Sequence, residues 1–160
     1  MSRLDDYNVK ILTLLQTDSA RTADEIAAEV GLSPSAVQKR LRQMRADGII
    51  AREVAMLDPQ ALGGVALFLV SVQLVRTRQN TIEQFRTLMS GTQEVLQCFH
   101  VTGSFDFVLL VAAKDTRVYE GFSHRMFTEE NHVARFETSV VLRSVKFGFA
   151  LPLDQLLAAG

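Results

Sequence analysis

The sequence predicts an α+β chain in two parts, an N-terminal winged helix-turn-helix domain and a C-terminal ferredoxin-like βαββαβ domain. Three observations predict it. Two capped helical segments meet through the turn Gly31-Leu32-Ser33-Pro34. The later of the two carries a concentrated positive charge, inside a chain whose formal net charge is only −1. After Gly64, β-rich and helix-periodic segments follow one another in the order strand, helix, strand, strand, helix, strand.

Composition sets the outer limits. The chain has 160 residues, 48% apolar and 22% charged, a globular mix with room for one domain or two small ones. No run of about 18 uncharged apolar residues occurs, so no membrane-spanning helix is expected. Residues 1–7 lack the apolar stretch of a secretion signal. Cys98 is the only cysteine, which excludes an intrachain disulfide and a zinc ribbon and fits a reducing cytoplasm.

The N-terminal elements come first. Asp5 to Thr17 reads as a helix, with Val9, Ile11, Leu12, Leu14 and Leu15 as a wide apolar face. Asp5 and Asp6 sit in its first turn and complement the helix dipole. Thr22-Ala23-Asp24-Glu25 fits a capping box, starting a second helix whose inner face is Ile26, Ala27 and Val30. Gly31 suits the left-handed stop, and Leu32 follows as a buried plug. Ser33 is a good N-cap and Pro34 suits the first position of a third helix, which runs to about Asp47.

That third helix has two faces. Val37, Leu41 and Met44 point inward, while Ser35, Gln38, Lys39, Arg42 and Arg45 fall on or near the other side. From Ser33 to Arg52, Lys39, Arg40, Arg42, Arg45 and Arg52 stand against Asp47 alone, a net of +4. Two helices joined by a short Gly-containing turn form a helix-turn-helix, whose second helix reads the DNA major groove. Gln reads adenine, Arg reads guanine, and any cation meets phosphate. The candidate DNA-binding residues are Thr22, Ser33, Pro34, Ser35, Gln38, Lys39, Arg42 and Arg45. Ile49 to Leu57 is β-compatible, as a wing or a connecting strand. Residues 58–64, rich in turn formers, mark the hinge between domain 1–57 and domain 65–160.

The remaining elements build the sheet domain. Val65 to Arg76 reads as a strand. Gln79 to Ser90 reads as a helix, with Thr81 as N-cap and Ile82, Phe85, Leu88 and Met89 inward. Val95 to Thr102 and Phe105 to Ala113 form a hairpin around Gly103-Ser104. Asp115 to about Phe127 is a helix with Val118, Tyr119, Phe122 and Met126 inward, and Val133 to Arg143 is the last strand. Both faces of the first and third strands are apolar, yet two helices cover only one. The other face should meet a second subunit's sheet, or else the N-terminal domain.

Other chemistry finds no support. Cys98 and His100 share a strand face without further ligands, so a packed thiol beside a hydrogen-bonded histidine is expected. His124, His132 and Glu129-Glu130 have no catalytic or metal spacing. No phosphate-binding or nucleophile motif occurs, so no enzyme is expected, and no cofactor.

In this order, the segments resemble the leucine-responsive regulatory protein/AsnC (Lrp/AsnC) family of transcription regulators. The resemblance rests on Leu4 to Leu12, with Asn8 where a second Asp is usual. It continues through Ile26-Ala27, Val30 to Val37, Arg40-Leu41, Gly48-Ile49-Ile50 and Leu57-Asp58-Pro59. Val101 to Phe107, Glu137 to Leu142 and Lys146 complete it. Family members often have a Gly just before the last strand, where this chain has Asn131-His132.

The resemblance implies a winged-helix DNA-binding domain joined to an amino-acid-binding, oligomerising domain. It implies homodimers that assemble into tetramers or octamers, with the effector bound between dimers. Its motif match places Thr102, Gly103, Ser104 and Asp106 near the effector, with Thr138, Ser139 and Val140 opposite. Asp106 suits an α-ammonium; the amides around Gly103 and the hydroxyls of Thr138 and Ser139 suit a carboxylate. The expected partners are double-stranded DNA, an amino-acid effector and further copies of the chain, with no membrane. The alternatives are a metabolite-binding protein whose N-terminal domain meets only protein partners, and an RNA binder using the sheet.

Overall fold

The structure, a computed structural model, describes residues 4–59, 61–75 and 80–157. It divides into two compact units, Met1–Met56 with Lys146–Gly160, and Leu57–Val145. The sequence predicts one domain over 65–160; the segment from Lys146 onward groups instead with the first unit.

The first unit is built on α1 (Asp6–Thr17), α2 (Ala23–Val30) and α3 (Pro34–Ala46). Their starts are set by side-chain acceptors that satisfy the free amides of the first turn. Asp5 accepts from the Asn8 amide at 2.8 Å. Thr22 and Glu25 complete a reciprocal capping box, and Ser33 accepts from the Ala36 amide at 3.2 Å. Gly31, at φ 73°, takes the left-handed turn that ends α2, and its amide donates to the Ala27 carbonyl at 3.0 Å. The core comprises Ile11, Leu12, Ile26, Ala27, Val30, Val37, Leu41 and Met44, with Leu32 half-buried against it.

Residues 51–58 carry no strand, so the expected wing or connecting strand does not form. A short C-terminal helix, α6 (Leu153–Leu157), went unanticipated. Leu153 packs onto the three-helix core. Gln16 secures this segment, its Oε1 accepting from the Leu151 amide at 2.6 Å and its Nε2 donating to the Leu151 carbonyl at 3.3 Å.

The second unit contains β1 (Ala66–Leu74), α4 (Thr81–Ser90), β2 (Val95–His100), β3 (Phe107–Ala113), α5 (Thr116–Met126) and β4 (Val133–Val140). The expected strand end at Arg76 and helix start at Gln79 lie outside the described residues. The sheet is antiparallel in the order β2-β3-β1-β4, the ferredoxin-like arrangement. Its inner face supplies Phe68, Val70, Val72, Leu74, Phe107, Leu109 and Val111 to a core shared with Phe85 and Met89 of α4 and Tyr119 and Phe122 of α5. Both helices thus cover one face.

Several local expectations change. Asn80, not Thr81, is the N-cap of α4; it adopts φ 74° and makes no side-chain cap bond. Ile82 and Val118, expected inside, are exposed. His100 stacks its ring on Phe107, centroids 4.9 Å apart, while burial of Cys98 pushes its thiol above the ordinary value. His132 takes φ 62°, the backbone conformation a glycine adopts most freely. It is held there from three sides. Its amide donates to the Glu129 carbonyl, its carbonyl accepts from the Val75 amide, and its Nε2 donates to Gln84 Oε1, each at 2.9 Å.

Candidate functional site

The first candidate surface is α3. A helix interior one turn wide fixes it: Val37, Leu41 and Met44 are buried, so Gln38, Lys39, Arg42 and Arg45 are turned to solvent. Ser35 is exposed in the first turn, its hydroxyl 3.1 Å from that of Ser33. Pro34 occupies the first helical position, where its missing amide costs no hydrogen bond.

The polar groups of this surface differ in how far they are already committed. Thr22 is occupied by its capping box: its amide donates to Glu25 Oε2 at 2.7 Å and its hydroxyl to the same oxygen at 2.9 Å. The Thr22 amide and hydroxyl hold the Glu25 carboxyl below its ordinary value. Arg45 pairs with Glu53 at 2.9 Å. Arg40, outside the residues predicted to bind DNA, is bound to Asp5 and Asn8. Lys39 and Arg42 have no ion-pair partner among the described residues. The surface therefore presents two uncommitted cations, one cation in an exposed pair, and the Gln38 amide.

The second candidate group divides in two. Thr102, Gly103 and Ser104 lie exposed in the β2–β3 turn, and Asp106 directly precedes β3. Asp106 holds the end of β1: its Oδ2 accepts from the Leu74 amide at 2.8 Å, while its own amide donates to the Val72 carbonyl at 2.9 Å. At the other end of β1, Ser139 pairs with Leu69 and Val140 with Phe68. Phe68 and Leu74 are six residues apart, about 20 Å along a strand. The turn residues and the β4 residues are therefore not one pocket within a single chain.

Strand alternation also separates the β4 residues. Thr138 pairs with buried Val70 and faces the helices, whereas Ser139 faces the opposite side. The Thr138 hydroxyl lies 2.5 Å from the Tyr119 hydroxyl. The sequence predicts Tyr119 only as an inward helix residue; its ring stacks on Phe68 at 3.9 Å. Burial raises its phenol above the ordinary value, opposed by the Thr138 bond. The signal was available, because a tyrosine on an apolar helix face needs a partner for its hydroxyl.

Among the described residues no cluster of His, Cys, Asp and Glu could hold a metal ion, and no helix is long and apolar enough to cross a membrane.

Comparison with known proteins covers both units. Residues 4–45 match the AsnC-type helix-turn-helix domain, and residues 67–151 match the Lrp/AsnC ligand binding domain. An HTH-type transcriptional regulator of Sinorhizobium fredii is 38% identical over 151 residues, 94% of this chain and 89% of that protein. An AsnC family regulator from Agrobacterium tumefaciens superimposes with a TM-score of 0.88 at 29% identity, covering 96% of this chain and 99% of that one. A transcriptional regulator from Neisseria meningitidis, solved with L-Met, gives a TM-score of 0.85 at 30% identity over the same shares.

Proposed function

The chain belongs to the Lrp/AsnC family of helix-turn-helix transcriptional regulators, and on that premise we propose that α3 enters the major groove while the sheet domain binds an amino acid. The observation that carries the first half is the division of α3 into a buried Val37-Leu41-Met44 face and an exposed Gln38-Lys39-Arg42-Arg45 face. Family membership makes the protein a DNA-binding regulator and not an enzyme. Gln38 and Arg42 suit base edges, Lys39 and Arg45 suit phosphates, and Ser33 and Ser35 lie at the helix N-terminus, where amides favour anions.

Salt-dependent titration of a duplex tests this assignment. Lys39→Ala and Arg42→Ala are each expected to weaken binding, and loss of a phosphate contact lowers the slope of log K against log salt by about 0.9. Arg45→Ala should have a smaller effect, because Arg45 must first leave Glu53. Unchanged affinity in both Lys39→Ala and Arg42→Ala removes α3 from the interface.

The effector reading rests on Asp106 and the turn beside it, and on a relative being solved with L-Met. Asp106 meets the α-ammonium, and the Gly103 turn and the Ser139 hydroxyl meet the carboxylate; Thr138, turned to the helices and held by Tyr119, is left out of the contact. Because the two groups stand at opposite ends of one sheet, such a site takes its halves from different subunits. Asp106→Asn keeps an acceptor for the Leu74 amide and removes the charge. It is expected to abolish the thermal stabilisation that a panel of amino acids, L-methionine included, gives the native protein. A stabilisation that survives the substitution rules out Asp106 as the ammonium partner.

The uncovered sheet face supports a homodimer. Leu67, Leu69, Phe99, Val108, Leu110 and Ala112 lie on the side away from the helices, and Leu69 is 45% and Phe99 53% exposed. Pairing of two such faces buries them and gives a two-fold protein suited to two DNA half-sites. Further assembly to tetramers or octamers brings effector halves together, and the cytoplasm is the compartment of action.

A further inference from the structure

Arg40 is the one cation of the α3 segment that turns back toward α1. Its Nη1 donates to Asp5 Oδ1 at 2.9 Å, Asp5 Oδ2 at 2.7 Å and Asn8 Oδ1 at 2.9 Å. Its guanidinium carbon lies 5.5 Å from the centroid of the Tyr7 ring. The three partners are contributed by the start of α1, 32 to 35 positions away in sequence. Among the described residues, this cluster is the only side-chain hydrogen-bonded link between α1 and α3. Only 29% of the Arg40 side chain is exposed.

Asp5 has two tasks at once. It caps α1 through the Asn8 amide and pairs with Arg40. The Asn8 amide and the Arg40 guanidinium together hold its carboxyl below the ordinary value. The carboxylate is therefore charged at neutral pH.

We propose that Arg40 is a positioning residue for DNA recognition, setting the rotation of α3 about its own axis through Asp5, Asn8 and Tyr7. The inference rests on α3 being the reading helix. Val37, Leu41 and Met44 hold α3 from its buried side, and the Arg40 cluster adds a directional hold at a second point on its circumference, toward the start of α1. Rotation by about 10° moves side-chain tips that lie about 6 Å from a helix axis by about 1 Å. That displacement spoils a bidentate base contact, which depends on two aligned hydrogen bonds, but barely changes a contact with phosphate. Arg40 therefore governs discrimination between sequences without itself touching DNA. Arginine suits the task better than lysine, since its planar guanidinium lies over the Tyr7 ring while its Nη1 reaches Asp5 and Asn8.

The test uses two labelled duplexes, one selected by the native protein from a random-sequence pool and one scrambled. Binding is followed by anisotropy over a range of salt. Arg40→Ala is expected to weaken the selected duplex about tenfold, the size of one lost base contact, and to leave the scrambled duplex and both salt slopes unchanged. Arg40→Lys should lose part of the same discrimination. Asp5→Asn keeps the α1 cap, since Asn caps as well as Asp, and loosens the Arg40 pair, so it should shift the ratio in the same direction while the fold persists.

Equal weakening of both duplexes by Arg40→Ala, with the salt slope lower by about 0.9, would make Arg40 a phosphate contact and overturn the proposal. An unchanged ratio in Asp5→Asn and Arg40→Lys would overturn it too. Lys39→Ala and Arg42→Ala serve as the control. If they weaken binding while the Arg40 and Asp5 variants do not, only the positioning role fails. If none of the five variants changes binding, the reading-helix assignment fails.

Discussion

Replacing Leu69 and Leu110 together by Asp is expected to yield a folded monomer that binds a duplex with two half-sites at least 100-fold more weakly than the native protein. The two leucines are direct cross-strand partners, on β1 and β3, on the face away from the helices. Their neighbours on the other face, Val70 and Leu109, are fully buried and keep the core intact. In the proposed dimer the substitution places two carboxylates per chain in an apolar interface, a cost that association cannot offset. In the monomer the same side chains meet water. Affinity falls because the second helix-turn-helix unit no longer arrives at the high local concentration that pairing supplies. Sedimentation velocity and anisotropy on one-site and two-site duplexes check both halves. A variant that remains dimeric removes this face from the subunit contact. A monomer that binds the two-site duplex as tightly as the native protein severs dimerisation from DNA binding.

The parts of this fold legible in the sequence are those decided within a few residues. The Thr22-Glu25 box, the Gly31 stop, the Ser33-Pro34 start and the Val37-Leu41-Met44 stripe are each local, and the structure forms each of them. The alternating burial of β3, with Phe107, Leu109, Val111 and Ala113 inside, is equally local. What escaped depends on partners far along the chain. The Ile49–Leu57 segment has strand-like residues, but a strand needs a ladder, and none is present in residues 51–58. Arg40 looked like one more cation on a polar helix; its role is set by Asp5, 35 residues earlier. Tyr119 and Thr138 meet across α5 and β4, a contact that spacing alone cannot show. Asn80 displaced Thr81 as a cap because Asn tolerates the left-handed conformation that β-branched Thr resists. The residues proposed for the effector are legible as motifs, but their separation along β1 is not, since it follows from sheet register.

That separation bears on the second large effect, expected for Phe107→Ala. Phe107 is fully buried between the sheet and α4, its ring 4.8 Å from that of Phe85 and 4.9 Å from His100. Removing the ring deletes its transfer free energy and leaves a cavity that neighbours on three strands cannot collapse around, a loss of about 3–5 kcal/mol. Domains of this size have about 5–15 kcal/mol in total, so much of the stability goes with one side chain. Urea unfolding followed by tyrosine fluorescence and far-ultraviolet circular dichroism measures it. A loss below about 1 kcal/mol would show that the site repacks, contrary to the close packing of the core. The effect should also reach the effector group. Phe107 directly follows Asp106, whose carboxylate and amide both bind β1. A strand that loosens at Phe107 lets Asp106 leave the Leu74 amide, so amino-acid stabilisation should vanish even under conditions where the variant is mostly folded. Asp106→Asn, by contrast, removes the response with little change in the urea midpoint. Comparing the two variants separates a ligand contact from the core that holds it in place.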